Sequence, residues 1–251
     1  MKIIIAGALG HMGREVAANA KANGVEIAFG IDAAEGTLDF PVYHSFAEAP
    51  VEEGTVIVDF SRPEMLDSLL DYAMTNKIPC VLATTGYSEE QLKKIDEVAA
   101  KEIPVFRSYN MSLGVAVLCA LATKAAQILG DGYDVEIVEA HHNRKVDAPS
   151  GTAVMLYDAI RNEYSEPHTA QYGRSGKDCK RTHNEIGMHS LRGGTVVGEH
   201  DVYFLGTSER IKLSHSAENR SVFAAGAVRA AIFMADQAPG LYNMSSIVGN
   251  I

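Results

Sequence analysis

Residues 2–13 read KIIIAGALGHMG, and this stretch decides the fold of the first half of the chain. Lys2–Ala6 is a short run of branched apolar residues, which predicts a buried strand. Gly7, Gly10 and Gly13 follow at the spacing G-x-x-G-x-x-G, and the pattern then becomes helical. A glycine-rich turn between a strand and a helix predicts a unit whose backbone can approach a phosphate group closely.

The same alternation of strand and helix continues along the first hundred residues. Pro63 suits a first helical turn, and the segment from Ser88 to Gln91 resembles a capping box. Apolar strands that are separated by helices predict a parallel sheet with helices on both faces. We predict strands at 2–6, 25–31, 55–60, 78–83 and 103–107, and helices at 11–23, 63–75 and 89–101.

From about residue 111 the pattern changes to longer elements. We predict, in order, a helix at 113–129, a strand at 134–142, a helix at 150–164, an exposed loop at 165–183, a meander of strands at 185–191, 195–205 and 210–215, and a helix at 222–237 that packs back on the first domain. The expected fold class is therefore α/β. A Rossmann-type parallel-sheet domain (1–111 and 219–251) carries an α+β domain with an open mixed sheet (112–218).

Composition narrows the classes of partner. The chain has 22 Lys and Arg against 32 Asp and Glu, a formal net charge of −10, which argues against nucleic acid or an anionic membrane as a partner. Its cysteines, Cys80, Cys119 and Cys179, show no paired spacing, as expected of a reduced cytoplasmic protein. Polar residues such as Lys124 interrupt the apolar helix at 113–129, which predicts a buried helix and no membrane span.

The glycine turn and the next strand together predict a dinucleotide site, although a purely structural turn is the alternative reading. Asp32 ends the second strand and can accept hydrogen bonds from a ribose. Its charge would repel a 2′-phosphate, and Ala33 rather than Arg follows it, which favours NADH over NADPH; His11 or Arg14 could still reach such a phosphate. The predicted cofactor-binding residues are Gly7, Ala8, Leu9, Gly10, His11, Met12, Asp32, Ala83, Thr84, Thr85, Ser108, Tyr109, Asn110 and Met111.

The densest cluster of reactive side chains lies in residues 139–153, EAHHNRKVDAPSGTA. A proton-handling histidine beside Lys145 would suit hydride chemistry, which needs a proton or cation to balance developing negative charge. Ser150 is placed to cap the next helix, so Gly151 and Thr152 would offer first-turn N–H groups to a carboxylate. Alternatives for the adjacent pair His141-His142 are a structural role, or a metal site completed by other histidines, namely His189, His200 or His215. We predict no metal.

Several motifs together resemble the 4-hydroxy-tetrahydrodipicolinate reductase (dihydrodipicolinate reductase) family of the diaminopimelate and lysine pathway. They are G-x-x-G-x-M-G at 7–13, ATTG at 83–86, N-x-S-x-G at 110–114, E-x-HH-x-x-K-x-DAPSGTA at 139–153, VGEH at 197–200 and H-x-A-x-x-R-x-x-FA-x-GA at 215–227. The resemblance covers essentially the whole chain, and the motif at 139–153 is the specific part of it.

The resemblance implies reduction of the cyclic 4-hydroxy dicarboxylate to tetrahydrodipicolinate, with loss of water, by NADH or NADPH. It implies that His141 and Lys145 are the acid–base pair, with Lys145 preferred as the proton donor. It also implies that His142, Gly151 and Thr152 hold the substrate carboxylates, and that the enzyme is a homotetramer built through the sheet of the second domain.

Two other functions compete with this reading. A related dehydrogenase acting on an amino or oxo acid would keep the fold but lack the full motif at 145–153, which is present. A nucleotide-sensing regulatory protein would not need to retain a proton donor such as Lys145.

Overall fold

The computed structural model describes residues 1–249 and contains twelve strands and seven α-helices within them. In chain order they are β1 (Lys2–Ala6), α1 (His11–Ala22), β2 (Glu26–Ile31), β3 (Val42–Tyr43), β4 (Thr55–Asp59), α2 (Leu66–Asn76), β5 (Cys80–Leu82), α3 (Glu89–Lys101), β6 (Pro104–Arg107), α4 (Leu113–Leu129), β7 (Asp134–His141), α5 (Gly151–Arg161), β8 (Thr169–Tyr172), β9 (Glu185–Arg192), β10 (Gly198–Leu205), β11 (Arg210–Ala217), α6 (Ser221–Met234), β12 (Gly240–Tyr242) and α7 (Met244–Val248).

The chain divides into two compact units, and the predicted fold class is confirmed. Among the described residues, the first unit comprises Met1–Leu113 and Arg220–Ile247, and the second comprises Gly114–Asn219 together with Val248 and Gly249. The first unit holds a seven-stranded sheet and the second a five-stranded sheet.

The sheet of the first unit is parallel throughout and has the order β12-β6-β5-β4-β1-β2-β3. Ile3, Ile4 and Ile5 of β1 are fully buried, because the strand has neighbours on both sides and packing on both faces. The chain runs outward from β1 through β2 to β3, and then crosses to β4 on the other side of β1. The loops after β1 and β4 therefore diverge and leave a crevice, where such sheets bind their ligands.

All five strands and three helices predicted for the first hundred residues are present, and their ends differ from the prediction by at most two residues, with one exception. The helix predicted from residue 63 begins as a 3-10 turn (Pro63–Met65), and α2 follows it. The capping box is confirmed: the amide of Gln91 donates to Oγ of Ser88 at 3.2 Å, and the Ser88 amide donates to Oε1 of Gln91 at 3.0 Å. The two-residue β3 and the three-residue β12 were not predicted, because runs so short carry no periodicity.

Helix α6 completes the first unit by packing against α1 and against β4, β5 and β6. Seven of its residues are buried, including Ala224, Gly226 and Ala230. At Gly226 the helix comes so close to the preceding chain that a Cβ would lie 1.7 Å from the carbonyl oxygen of Met111. Small residues on this face therefore fix how closely the helix approaches.

The second unit differs from the prediction in two respects. Its mixed sheet has the order β11-β10-β7-β9-β8, so β7 lies between β9 and β10 and the three later strands do not form the predicted meander. The segment 165–183, predicted as an exposed loop, contains β8, which pairs in parallel with β9. Both errors have the same cause, since strand neighbours are set by long-range pairing that local patterns do not encode.

Helices α4 and α5 cover one face of this sheet. Leu118, Ala122 and Leu156 pack there against apolar residues of β7, β9 and β10. By length and composition the segment Leu113–Gly132 could cross a membrane, but helices in protein cores pass the same test, and its inner face belongs to this core. The length and composition of α4 are therefore no evidence that the chain spans a membrane.

Replacement of Gly226 by Ala tests the close approach of α6. We expect the free energy of unfolding to fall by about 1–3 kcal/mol, because overpacking outweighs the helix propensity that Ala gains. Urea unfolding measures it. The matched control is Ala225→Ser, one exposed position earlier, for which a change within about 0.5 kcal/mol is expected. Equal effects of the two substitutions would contradict the packing argument.

Candidate active site

The glycine turn of the first unit holds its backbone closer than side chains would allow. Gly7 has φ of 78°, and a Cβ there would lie 2.6 Å from the carbonyl oxygen of Phe60. A Cβ on Gly13 would lie 2.1 Å from the carbonyl oxygen of Gly7. The turn therefore forms a side-chain-free cradle at the start of α1, and this geometry fits a pyrophosphate group.

Asp32 stands directly beside this turn. Its Oδ2 accepts the Leu9 amide at 2.9 Å and its Oδ1 accepts the Ala34 amide at 3.0 Å. Each carboxylate oxygen can accept a further hydrogen bond, so ribose hydroxyls remain possible partners. The two amides fix the carboxylate in place before any ligand binds.

A cavity of about 670 Å³ opens at the crevice between β1 and β4. The predicted residues Gly7, Leu9, Gly10 and Asp32 line it. The loop after β4 also contributes, through Phe60, Ser61, Arg62, Glu64 and Met65, none of which the sequence patterns singled out. The available signal was that Ser61 and Arg62 follow the predicted strand at 55–60, but its meaning depends on knowing that β4 is the strand beside β1.

Asp59, at the end of β4, is a second feature that the sequence patterns did not reveal. Its side chain is buried and accepts the Ser61 amide at 3.0 Å and the hydroxyl of Tyr87 at 3.0 Å. Burial raises the pKa of this carboxyl, while hydrogen bonds from Ser61 and Tyr87 oppose the increase. The carboxyl group thereby ties the loop after β4 to the loop after β5.

The remaining predicted cofactor residues lie at or beside the same carboxyl edge of the sheet. Ala8 is buried and His11 exposed, whereas Ala83, Thr84 and Thr85 follow β5. Residues 108–111 follow β6, where Oγ of Ser108 donates to the carbonyl of Asn110, Tyr109 is largely exposed and Met111 is buried. Met12 lies in the first turn of α1 and is partly buried.

The second unit has its own polar centre, built around Glu139 of β7. Glu139 is 1% exposed, and Arg192 of β9 donates to both of its oxygens at 2.8 Å. Nδ1 of His141 lies 2.6 Å from Oε2, and the Ser150 amide donates to Oε1 at 3.2 Å. Burial opposes ionisation of Glu139, but hydrogen bonds from Arg192, Ser190 and His141 outweigh it and lower its pKa to about 2.

The surroundings of His141 lower its pKa below the ordinary value for histidine. Burial lowers its pKa, the Glu139 carboxylate opposes this, and the charges of Lys145 and Arg192 lower it further. His200 of β10 packs edge-on against the ring, with centroids 5.2 Å apart. Burial lowers the pKa of His200 to about 4, and neighbouring His141 contributes.

Ser150 joins this centre to helix α5. As the predicted N-cap residue it accepts the Ala153 amide through Oγ at 3.2 Å, and the same oxygen lies 3.0 Å from Nε2 of His200. Gly151 and Thr152 are the first two residues of the helix, where the amides point out of the first turn. The predicted helix start and its serine cap are therefore present, and the binding of an anion there stays a prediction.

The loop from His142 to Asp147 lies between these elements. β7 ends at His141, one residue before the predicted end, and the Lys145 amide donates to the carbonyl of His142 in a tight turn. Nζ of Lys145 pairs with Asp147 at 2.9 Å, and this contact lowers the pKa of Asp147. The imidazole Nδ1 of His142 is buried and has no hydrogen-bond partner among residues 1–249.

The histidines considered for a metal site fall in two places. The rings of His141 and His200 are 5.2 Å apart and His215 is paired with His200 between β10 and β11, whereas His189 lies apart from them. His189 pairs instead with Glu136, at 2.6 Å, and Glu136 lies on the opposite face of β7 from Glu139. Within residues 1–249, no group of three or more His, Cys, Asp or Glu is arranged to hold a metal ion.

Comparison with known proteins identifies the family. Residues 1–111 match the N-terminal part of dihydrodipicolinate reductase, and residues 114–248 match its C-terminal part. The chain belongs to the dihydrodipicolinate reductase family. It is 51% identical to the 4-hydroxy-tetrahydrodipicolinate reductase of Caldanaerobacter subterraneus over 99% of this chain and 98% of that one. The corresponding reductase of Clostridium tetani is 45% identical over 100% and 98% of the two chains.

A solved structure shows the same fold. A dipicolinate-bound dihydrodipicolinate reductase from Paenisporosarcina superimposes with a TM-score of 0.80 at 22% identity, covering 99% of both chains. The family resemblance read from the sequence is thus confirmed, and the predicted reductase function agrees with the names of the relatives. The matching N-terminal part of the family also supports a pyridine nucleotide cofactor.

The buried His200 predicts a pH dependence of stability. Its pKa of about 4 in the folded chain lies below the ordinary value near 6.5, so the unfolded chain binds a proton that the folded chain does not. Stability is therefore lost as the pH falls from about 6.5 towards 4. We therefore replace His200 by Gln, which can still contact Ser150. Between pH 7 and pH 5 the free energy of unfolding should fall by about 2 kcal/mol less in this variant than in the wild type.

Urea unfolding of wild type and His200→Gln at both pH values measures the difference. His183→Gln is the matched control, because the ring of His183 is exposed. An identical decline in stability for wild type and His200→Gln would contradict the prediction.

Proposed function

We propose that this chain reduces 4-hydroxy-tetrahydrodipicolinate to tetrahydrodipicolinate in diaminopimelate and lysine biosynthesis. The overall change consumes one NAD(P)H and one proton and releases one water. The observation that carries the proposal is the assembly of His141, the Lys145 loop and the start of α5 around buried Glu139. Membership of the reductase family supports it.

The proton chemistry is assigned to His141 and Lys145. Departure of the C4 hydroxyl together with a proton from the neighbouring ring carbon releases the water and leaves a double bond between the two carbons. When bound, the reduced nicotinamide would supply the hydride for ring C4. Lys145 then delivers a proton to the neighbouring ring carbon, and its pairing with Asp147 shows that the ammonium is held in the loop. His141, whose pKa is lowered by burial, is the proton-handling partner.

The substrate carboxylates are assigned to His142, Gly151 and Thr152. The amides at the start of α5 and the positive end of its dipole favour an anion there. A Cβ added to Gly151 would meet no atom within 4 Å, so its amide is sterically open to a ligand. The buried, unpartnered Nδ1 of His142 supports the same assignment.

The cofactor is assigned to the cradle at Gly7–Gly13 and to the loops at the carboxyl edge of the first sheet. We favour NADH, because the fixed carboxylate of Asp32 suits ribose hydroxyls and would repel a 2′-phosphate. Arg62 lines the same cavity and provides a cation that a 2′-phosphate could use instead. Of the two side chains that the sequence offered for such a phosphate, Arg14 donates through Nε to the carbonyl of Leu9, and His11 is exposed.

We also propose a cytoplasmic homotetramer that forms through the second sheet. The face of β7 opposite Glu139 carries Glu136, and the edge strand β11 is exposed along most of its length. An exposed edge strand of this kind can pair with a second copy.

A coupled assay tests the function. Substrate is made in situ from aspartate semialdehyde and pyruvate by the preceding synthase, and oxidation of NADH or NADPH is followed by absorbance. We expect oxidation with at least one cofactor, a higher kcat/KM with NADH, and competition by pyridine-2,6-dicarboxylate, the dipicolinate bound in the Paenisporosarcina structure. No oxidation with either cofactor would refute the proposed activity.

Replacement of Lys145 by Ala tests the proton donor. We expect kcat to fall by roughly 100-fold or more, the usual scale for loss of a general acid. Arg144→Ala is the matched control, because it removes an equal and exposed charge one residue away. Near-normal turnover of Lys145→Ala, or equal losses in both variants, would place the donor elsewhere.

A further inference from the structure

The carboxylate of Glu139 lies where three parts of the candidate site meet. It accepts two hydrogen bonds from Arg192, one from the ring of His141 and one from the amide of Ser150, and the side chain of Ser190 also bonds to it. Arg192 in turn donates to the carbonyl of Asp147, which belongs to the loop that carries Lys145. One buried ion pair thus contacts the strand end, the loop and the helix start.

The charge of Glu139 decides which nitrogen of His141 carries the proton. An ionised carboxylate can only accept, so Nδ1, at 2.6 Å, must donate. In the neutral ring this leaves Nε2 unprotonated and able to accept. Apart from Glu139, the charged or titratable groups around the ring are Lys145, Arg192 and His200, and none of them supplies a carboxylate that could select the other tautomer.

The same carboxylate also positions the helix start. Oε1 accepts the Ser150 amide at 3.2 Å, immediately before the turn whose amides are assigned to the substrate. The side chain of Glu139 is 1% exposed, so water does not compete for these contacts. Changes at Glu139 therefore reach both His141 and the first turn of α5.

We propose that Glu139, held by Arg192, is a positioning residue that fixes His141 as its Nδ1–H tautomer and couples the orientation of that ring to the substrate-binding start of α5. The role assigned to His141 rests on the proposed function, whereas the tautomer does not. The sequence motifs include Glu139 but assign it no role in binding or catalysis.

The first experiment uses the unaltered protein. Nitrogen-15 NMR of the histidine rings near neutral pH, assigned by comparison with His141→Gln, reports which nitrogen is protonated. We expect Nδ1–H for His141. A neutral ring protonated on Nε2 would overturn the proposal, whatever any variant does.

The second experiment uses Glu139→Gln. One end of the amide is an NH2 group that cannot accept, so the donors that meet Glu139 are no longer all satisfied. We expect the His141 tautomer to shift towards Nε2–H, kcat to fall by about 10- to 100-fold, and the Kd for pyridine-2,6-dicarboxylate to rise about three- to tenfold. An unchanged tautomer with a reduced kcat would make Glu139 merely structural and overturn the proposal.

Glu136→Gln is the matched control, because Glu136 is a largely buried carboxylate on the opposite face of β7 and holds Arg174 and His189. It should leave the His141 tautomer unchanged, and an equal shift in both variants would overturn the proposal. If Glu139→Gln does not fold, the tautomer of His141 measured in the wild-type protein decides whether the proposal holds. If the coupled assay fails while the tautomer is as expected, the proposed activity is wrong and the positioning by Glu139 stands.

Discussion

In a sheet of parallel strands every strand ends at the same edge, and the candidate cofactor site depends on that constraint. Because β1 lies between β2 and β4, the chain must reverse its direction of winding there, and the loops after β1 and β4 separate. Gly7 and Gly13 then determine how closely the backbone can approach a ligand. The buried carboxyl of Asp59 adds a link between neighbouring loops at the same edge.

The second unit differs in that it holds a buried charged group, Glu139, on a strand of a mixed sheet. A buried carboxylate is costly unless it is paired and hydrogen-bonded, and Glu139 is both. Its partners are also the residues to which proton transfer and carboxylate binding are assigned. Stability and chemistry in this unit therefore depend on one set of contacts.

Much of the fold was predictable because the first hundred residues alternate clear strand and helix patterns. The structure confirmed the capping box at Ser88, but β8 and the insertion of β7 between β9 and β10 could not be predicted, since strand pairing is a long-range choice. In the site, the motif at 139–153 drew attention to His141 and Lys145 by residue type alone. Arg192 could not be linked to them, because it is 53 residues from Glu139 in the sequence, and only the pairing of β7 with β9 brings the two side chains together.

Ser150 caps α5 and also contacts His200, and this double role limits which residues can replace it. Ser, Thr, Asp and Asn are all good helix caps, so capping alone would allow exchange among them over evolutionary time. A carboxylate, however, would place a second negative charge close to Glu139. A hydroxyl can accept from the Ala153 amide and also bond the imidazole of His200, whereas an amide group has a different shape. Only hydroxyl residues meet both demands, so variation among natural sequences at this position should be narrower than at the cap of α3, where Ser88 meets no such second partner among the contacts described for it.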